Sequence, residues 1–118
     1  MTINFYNLDS IMTNMTAYKN SNLMVVTKNQ STDDIETLVS KEFNLFGENR
    51  VQEAKIKYES LKNRDILKLH MIGPLQTNKV KLALKIFDAI QTIDRYSLVD
   101  EIAKFTIKGN SRVKEFYI

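Results

Sequence analysis

Lys28 is the first residue of this sequence whose type and position could support covalent chemistry. It directly follows the apolar run 23–27, which has the β-branched composition of a buried strand. An amine that is partly desolvated at the carboxyl end of a strand is available as a neutral nucleophile, as Schiff-base chemistry requires. The alternative is a lysine that extends its ammonium group into water, and the spacing by itself favours that alternative.

Asn49 and His70 could contact a ligand, and each also has a plainer interpretation. Asn49 follows the run 46–48 where a strand turns into a helix, so its amide could face a ligand or cap the helix that begins near Arg50. Glu48 fits either an acid near the helix start or a site carboxylate. His70 lies in an apolar run, where a buried, hydrogen-bonded imidazole is commoner than a ligand contact.

Composition and motifs exclude several kinds of site. The sequence has no Cys and one His, which removes disulfides, thiol catalysis, Cys/His zinc sites and the HExxH motif. The glycine-rich nucleotide-binding motifs and the G-x-S-x-G elbow are absent too. The turn 73–79 could hold an anion on free N–H groups, but a plain turn with a Thr77 helix cap is simpler. Because the sequence has no Cys and one His, we expect no metal site.

Charge and hydropathy point to a soluble protein without nucleic-acid or membrane partners. The 118 residues contain 17 Lys and Arg against 14 Asp and Glu, a net charge of +3 without any basic run. No segment approaches the ~18 apolar residues of a membrane span. The amino terminus lacks the pattern of a signal peptide. We expect a cytoplasmic protein.

The elements that must position these residues alternate between two patterns. The predicted strands are 23–27, 44–47, 67–73, 88–93 and 113–118, and the predicted helices are 33–43, 50–62, 78–87 and 96–108. One helix in each interval between strands is typical of βα repeats in a parallel sheet, either open and doubly wound or closed as a barrel. We expect a single domain over 1–118, with a leading helix region at 1–20 and the βα repeats at 21–118.

The last predicted strand coincides with the end of the sequence. A complete (β/α)8 barrel takes about 250 residues, so we expect an amino-terminal fragment. The strand beginning at Val113 would then be an open edge, and we expect the isolated chain to be poorly stable and to self-associate.

Four blocks of this sequence resemble the pyridoxal phosphate homeostasis protein family. Their order and spacing agree with that family, so the resemblance covers about residues 20–118. The blocks are Val25-Val26-Thr27-Lys28, Phe46-Gly47-Glu48-Asn49-Arg50-Val51-Gln52-Glu53, His70-Met71-Ile72-Gly73-Pro74-Leu75-Gln76-Thr77-Asn78-Lys79 and Thr92-Ile93-Asp94.

The resemblance implies an α/β fold of the (β/α)8 TIM-barrel type, the fold-type III barrel also found in the amino-terminal domain of alanine racemase. This chain would be truncated to about the first four βα units plus the start of strand five. Pyridoxal 5′-phosphate (PLP) would be carried covalently on Lys28, with Thr27 in place of the family's usual Ser. Asn49 and His70 match family residues on the cofactor side. The implied function is intracellular PLP homeostasis without catalytic turnover, and no catalytic residue is assigned.

The resemblance also implies a weakened site and leaves alternatives open. The family's phosphate-binding loop, and its Arg near the pyridine nitrogen, lie beyond Ile118, so we expect this chain to bind PLP weakly. One alternative is an inactive or split remnant that needs a complementing carboxyl-terminal half. Another is a fragment of a PLP-dependent racemase-like enzyme, which would need a catalytic Tyr from a second domain.

Overall fold

A five-stranded parallel sheet with intervening helices forms the centre of the computed structural model, which describes residues 3–15, 22–109 and 111–118. The strands are β1 (Val25–Val26), β2 (Leu45–Glu48), β3 (Lys68–Met71), β4 (Ala89–Ile90) and β5 (Glu115–Phe116). The helices are α1 (Phe5–Met15), α2 (Thr32–Ser40), α3 (Val51–Glu59), α4 (Val80–Ile86) and α5 (Tyr96–Thr106).

The strand order in the sheet is the order in the sequence, and every neighbouring pair is parallel. The predicted α/β class and the parallel pairing of the first two strands are therefore confirmed. The strands are shorter than predicted, but hydrogen bonds extend the pairing beyond their assigned ends. Thr27 N donates to Gly47 O at 3.0 Å, and Gln91 N donates to Met71 O at 3.0 Å.

Local sequence explains where α2 begins and ends. Ser31 is the residue before the helix, and its Oγ accepts from Asp34 N at 3.1 Å, which makes it the N-terminal cap of α2. The helix ends at Ser40, before the predicted 43, because Glu42 has a φ of 72° and this left-handed turn stops helical bonding. The predicted helix 78–87 also differs at its start. It opens with a 3₁₀ turn at Thr77–Lys79, and the residue before α4 is Lys79 rather than the expected cap Thr77.

The hydrophobic core lies between the sheet and helices α2 to α5. Its buried side chains come from the strands and from the inward faces of the helices, and its largest fully buried members include Tyr58, Phe46, Phe87, Ile35 and Leu69. These apolar side chains recur at helical or strand spacing, as expected for residues on the inward face of a helix or strand.

An ion-pair network holds the amino ends of β3 and β4 together. Asp88 Oδ2 accepts from the backbone N–H of Leu69 at 2.8 Å and from Arg64 Nη2 at 3.0 Å. The same Arg64 nitrogen donates to Ile86 O at 2.6 Å, and Arg112 Nη1 lies 3.6 Å from Asp88 Oδ1. These contacts fix the end of the sheet opposite to Lys28.

Helix α1 lies within the predicted leading helix region 1–20, of which residues 1, 2 and 16–20 lie outside the described ones. Leu8 packs against the core, and Lys41 Nζ lies 4.9 Å from the centre of the Phe5 ring. Across the part of the chain that the structure describes, none of the helices has the length and apolar character to cross a membrane.

Candidate functional site

The register of the strands decides which side chains share the face of the sheet away from the helices. Residues paired in register on parallel strands point to the same face. Val26 pairs with Gly47, Gly47 with His70, and His70 with Ala89. Phe46, which alternates with Gly47 along β2, is fully buried in the core. The face opposite to the helices therefore carries Val26, Gly47, His70 and Ala89.

Lys28 lies at the carboxyl end of β1, in the turn that follows the strand. It is two residues beyond Val26, the last paired residue of β1. Its side chain is exposed, and the partial desolvation expected from the sequence is not provided by the described residues. The next residue, Asn29, has a φ of 61°, and its N–H donates to Glu53 Oε1 at 2.6 Å. The turn that carries Lys28 is thus held to α3.

Asn49 follows β2 at the level of Lys28. Lys28 is two residues beyond Val26, and Asn49 is two residues beyond the paired Gly47. The helix-cap alternative for Asn49 is wrong, because the residue before α3 is Arg50, which makes no side-chain cap. Asn49 Oδ1 is instead a buried acceptor without a hydrogen-bond partner among the described residues. A buried amide oxygen in that state has a hydrogen bond still to accept, which is unusual in a folded protein.

Gly73 packs directly against the backbone of Asn49. A Cβ added at Gly73 would lie 2.6 Å from both the Cβ and the backbone oxygen of Asn49. The carbonyl of Gly73 accepts a hydrogen bond from the Thr92 hydroxyl. Only a residue without a side chain allows the backbones after β2 and β3 to come this close. The carboxyl ends of β2, β3 and β4 therefore meet around Asn49.

His70 is on the same face but deeper. It pairs with Gly47, so it lies two residues, about 6.6 Å at the usual rise of a strand, below the level of Lys28 and Asn49. Gln91 Nε2 lies 2.9 Å from His70 Nδ1. Burial lowers the pKa of His70, and the carboxylates of Glu115 and Asp88 oppose that shift. The imidazole is therefore largely neutral at pH 7.

His70 also borders a cavity of about 460 Å³ on the amino-terminal side of the sheet, lined by Lys68, Leu45 and Glu115 among others. The family resemblance implied that Lys28, Asn49 and His70 together bind the cofactor. The structure brings Lys28 and Asn49 to one level and leaves His70 below them, beside this cavity.

A buried polar cluster that the sequence interpretation missed lies directly behind Lys28 and Asn49. It consists of Thr27, Glu48, Lys57 and Tyr58, and we call it the Thr27 cluster. Thr27, Glu48 and Tyr58 are fully buried, and Lys57 is 7% exposed. Thr27 Oγ1 donates to Glu48 Oε2 at 2.5 Å and lies 2.6 Å from the Tyr58 hydroxyl. Since a threonine hydroxyl has one proton, Tyr58 donates to Thr27.

Lys57 supplies the positive charge of the Thr27 cluster. Its Nζ lies 2.6 Å from Glu48 Oε2 and donates to the backbone oxygen of Thr27 at 2.5 Å. Burial raises the pKa of Glu48, while the hydrogen bonds from Lys57 and Thr27 oppose that rise. Burial likewise raises the pKa of Tyr58, so the phenol stays protonated.

One sequence signal could have revealed the Thr27 cluster. Lys57 lies three residues after Ala54, on the buried face of α3, and four before Leu61, which is buried just beyond the end of that helix. A lysine at such a position must have buried partners, because an unpaired ammonium group is costly in a core. Glu48, at the end of the neighbouring strand, is that partner.

Comparison with known proteins identifies relatives that match part of this chain. No family model matches this sequence. The pyridoxal phosphate homeostasis protein of Aquifex aeolicus is 52% identical over 66 residues, covering 56% of this chain and 28% of that protein. The protein of the same name from Buchnera aphidicola of Acyrthosiphon pisum is 37% identical over 91 residues, covering 77% and 46%. This chain thus spans less than half the length of these curated relatives.

Two solved structures of one protein have a fold similar to that of this chain. PipY of Synechococcus elongatus without PLP has a TM-score of 0.83 and 29% identity, covering 93% of this chain and 50% of PipY. The PLP-bound PipY structure has a TM-score of 0.76 at 29% identity, covering 85% of this chain and 48% of PipY.

Proposed function

Because this chain belongs to the pyridoxal phosphate homeostasis protein family over the stretch that it matches, we propose that it binds PLP in intracellular PLP homeostasis and catalyses no turnover. The observation that carries this proposal is the pair at the carboxyl ends of β1 and β2. Lys28 presents an exposed amine, and Asn49, at the same level, has an amide oxygen without a partner among the described residues. A cytoplasmic location is part of the same proposal.

The residues present fit PLP. When bound, PLP supplies an aldehyde, which condenses reversibly with a lysine amine. Lys28 would be that lysine, since its side chain is exposed at the carboxyl end of a strand, where α/β proteins build their sites. Asn49 would accept a hydrogen bond at Oδ1, and the close packing of Gly73 against it would hold its backbone in place. His70 would act as a neutral group on the same face, oriented by Gln91.

The strand order supports the barrel component of the proposal. A doubly wound sheet reverses its strand order at a switch point, whereas the strands of a βα barrel follow one another in sequence order. The order from β1 to β5 has no reversal. We propose that 1–118 is one partial barrel domain, about four βα units and the start of a fifth. Self-association or a complementing half that completes the barrel remains a prediction.

Selective labelling of Lys28 tests the proposed function. The chain is incubated with PLP and reduced with borohydride, and the modified lysines are mapped by mass spectrometry. We expect Lys28 to carry most of the label. Lys28→Ala should remove it, and the matched surface variant Lys62→Ala should not. Label spread evenly over the lysines, and unchanged by Lys28→Ala, would show that this chain is the inactive remnant.

A further inference from the structure

The Thr27 cluster is buried on the helix-covered face, yet each of its two strand residues directly precedes a candidate site residue. Thr27 comes before Lys28, and Glu48 comes before Asn49. Successive residues of a strand point to opposite faces. A contact that fixes Thr27 and Glu48 from behind therefore fixes the backbone from which Lys28 and Asn49 project.

The contacts within the Thr27 cluster join β1 and β2 to each other and to α3. The bond between the Thr27 hydroxyl and Glu48 crosses from one strand to the next. Lys57 binds the backbone oxygen of Thr27 and the carboxylate of Glu48, so a single ammonium group ties both strands to the helix.

Helix α3 also holds Asn29, the residue that follows Lys28. Glu53 accepts from the N–H of Asn29 and lies 3.4 Å from Lys57. The backbone is thus fastened immediately before and immediately after Lys28. The Lys28 side chain itself is exposed and extends from this fastened turn.

We propose that the Thr27 cluster is a positioning device that holds Lys28 and Asn49 in the geometry in which Lys28 reacts selectively with an aldehyde. This inference rests on the proposed function. Stability alone does not require such a cluster, because apolar residues of similar volume fill a core as well as a buried ion pair or better. What the ion pair and hydrogen bonds add is a defined register between two short strand ends and a helix.

A matched pair of variants at Thr27 tests this proposal. Thr27→Val keeps the shape of the side chain and removes both hydroxyl hydrogen bonds, whereas Thr27→Ser keeps the hydroxyl. Thermal melts establish that each variant folds. If Thr27→Val does not fold, Tyr58→Phe replaces it, since that change removes a single hydroxyl from the same cluster.

Two measurements are made on the same samples. The first is amide hydrogen exchange of a peptide covering 24–30, with a peptide from α5 as the internal reference. We expect Thr27→Val to exchange about tenfold faster in 24–30, with α5 unchanged and Thr27→Ser close to the parent. The second is the share of PLP label on Lys28, which should fall several-fold in Thr27→Val and be retained in Thr27→Ser.

Each outcome decides the proposal. Folded Thr27→Val with unchanged exchange, or with faster exchange and unchanged Lys28 labelling, would overturn it. If the parent chain itself does not label at Lys28, the proposed function fails. The exchange measurement then decides alone whether the Thr27 cluster holds the turn.

Discussion

At the scale of single residues, Gly47 in β2 and Gly73 after β3 differ in the atoms that surround them. A Cβ at Gly73 would meet the backbone of Asn49, which cannot move without displacing the end of β2. A Cβ at Gly47 would meet Met24 Sδ at 2.8 Å and Ile72 Cδ1 at 2.9 Å, which are ends of flexible side chains. The same added methyl group therefore has unequal consequences.

We expect Gly73→Ala to lower the free energy of unfolding by about 1–3 kcal/mol, the usual cost of overpacking. Gly47→Ala should cost less, because side-chain rotation relieves its contacts. Urea unfolding of the two variants and the parent measures both losses. An equal or larger loss for Gly47→Ala would contradict this account of the Asn49 contact.

The lowered pKa of His70 makes a second prediction at this scale. Because burial disfavours the charged imidazole, the folded chain binds a proton less readily than the unfolded chain does. The stability contribution of His70 is therefore present above the unfolded pKa, near 6.5, and is lost as the pH falls through the folded pKa.

We expect the parent chain to lose stability relative to His70→Gln between about pH 7.5 and about pH 5. Urea unfolding of both proteins over that range measures the difference. A difference that is constant with pH would show that His70 titrates alike in the folded and unfolded chains.

At the scale of elements, α2 depends on one side chain for its start. Ser31 Oγ caps the free N–H of Asp34, and nearby Asp33 adds a favourable charge to the first turn. We expect Ser31→Ala to lower the free energy of unfolding by about 1 kcal/mol, and Ser31→Asp to retain it because aspartate also caps. Thermal melts of both variants are the measurement, and an alanine variant as stable as the parent would contradict the cap.

Helix α3 has a different role from α2, because it connects the core to the site. Its buried face carries Ala54 and Tyr58 as ordinary core residues and Lys57 as the partner of Glu48. The same helix therefore provides packing for the sheet and polar support for the ends of β1 and β2.

At the scale of the whole molecule, the chain matches less than half the length of its curated relatives, and the family resemblance implies a phosphate-binding loop beyond the blocks that match. Several N–H groups hold a phosphate in such loops, each charge-assisted bond being worth about 1.5–3 kcal/mol. We therefore expect this chain to bind PLP weakly and to recognise its ring and aldehyde rather than its phosphate.

The test compares PLP with 5′-deoxypyridoxal, which keeps the aldehyde and lacks the phosphate. We expect the concentrations that half-label Lys28 to agree within about tenfold, a difference of about 1.4 kcal/mol. Lys62 provides the reference for unselective labelling. A preference for PLP much larger than tenfold at Lys28 would show that these 118 residues already contain a phosphate site.

The sequence by itself determined the features that depend on neighbouring residues. Apolar periodicity predicted the alternation of strands and helices along the chain. Lys28 was identified because it directly follows an apolar run, and Asn49 because it stands where a strand turns into a helix. Segment ends were less accurate, since Glu42 and the 3₁₀ turn at Thr77–Lys79 ended or delayed helices that periodicity alone would extend.

Only the tertiary structure decided what depends on register. It set Lys28 level with Asn49 and left His70 one layer deeper, because a side chain's level is fixed by the strand that pairs beside it. It also joined Thr27 to Glu48 and Lys57, residues 21 and 30 positions away. Contacts over such separations follow from how strands and helices pack, which local sequence does not specify.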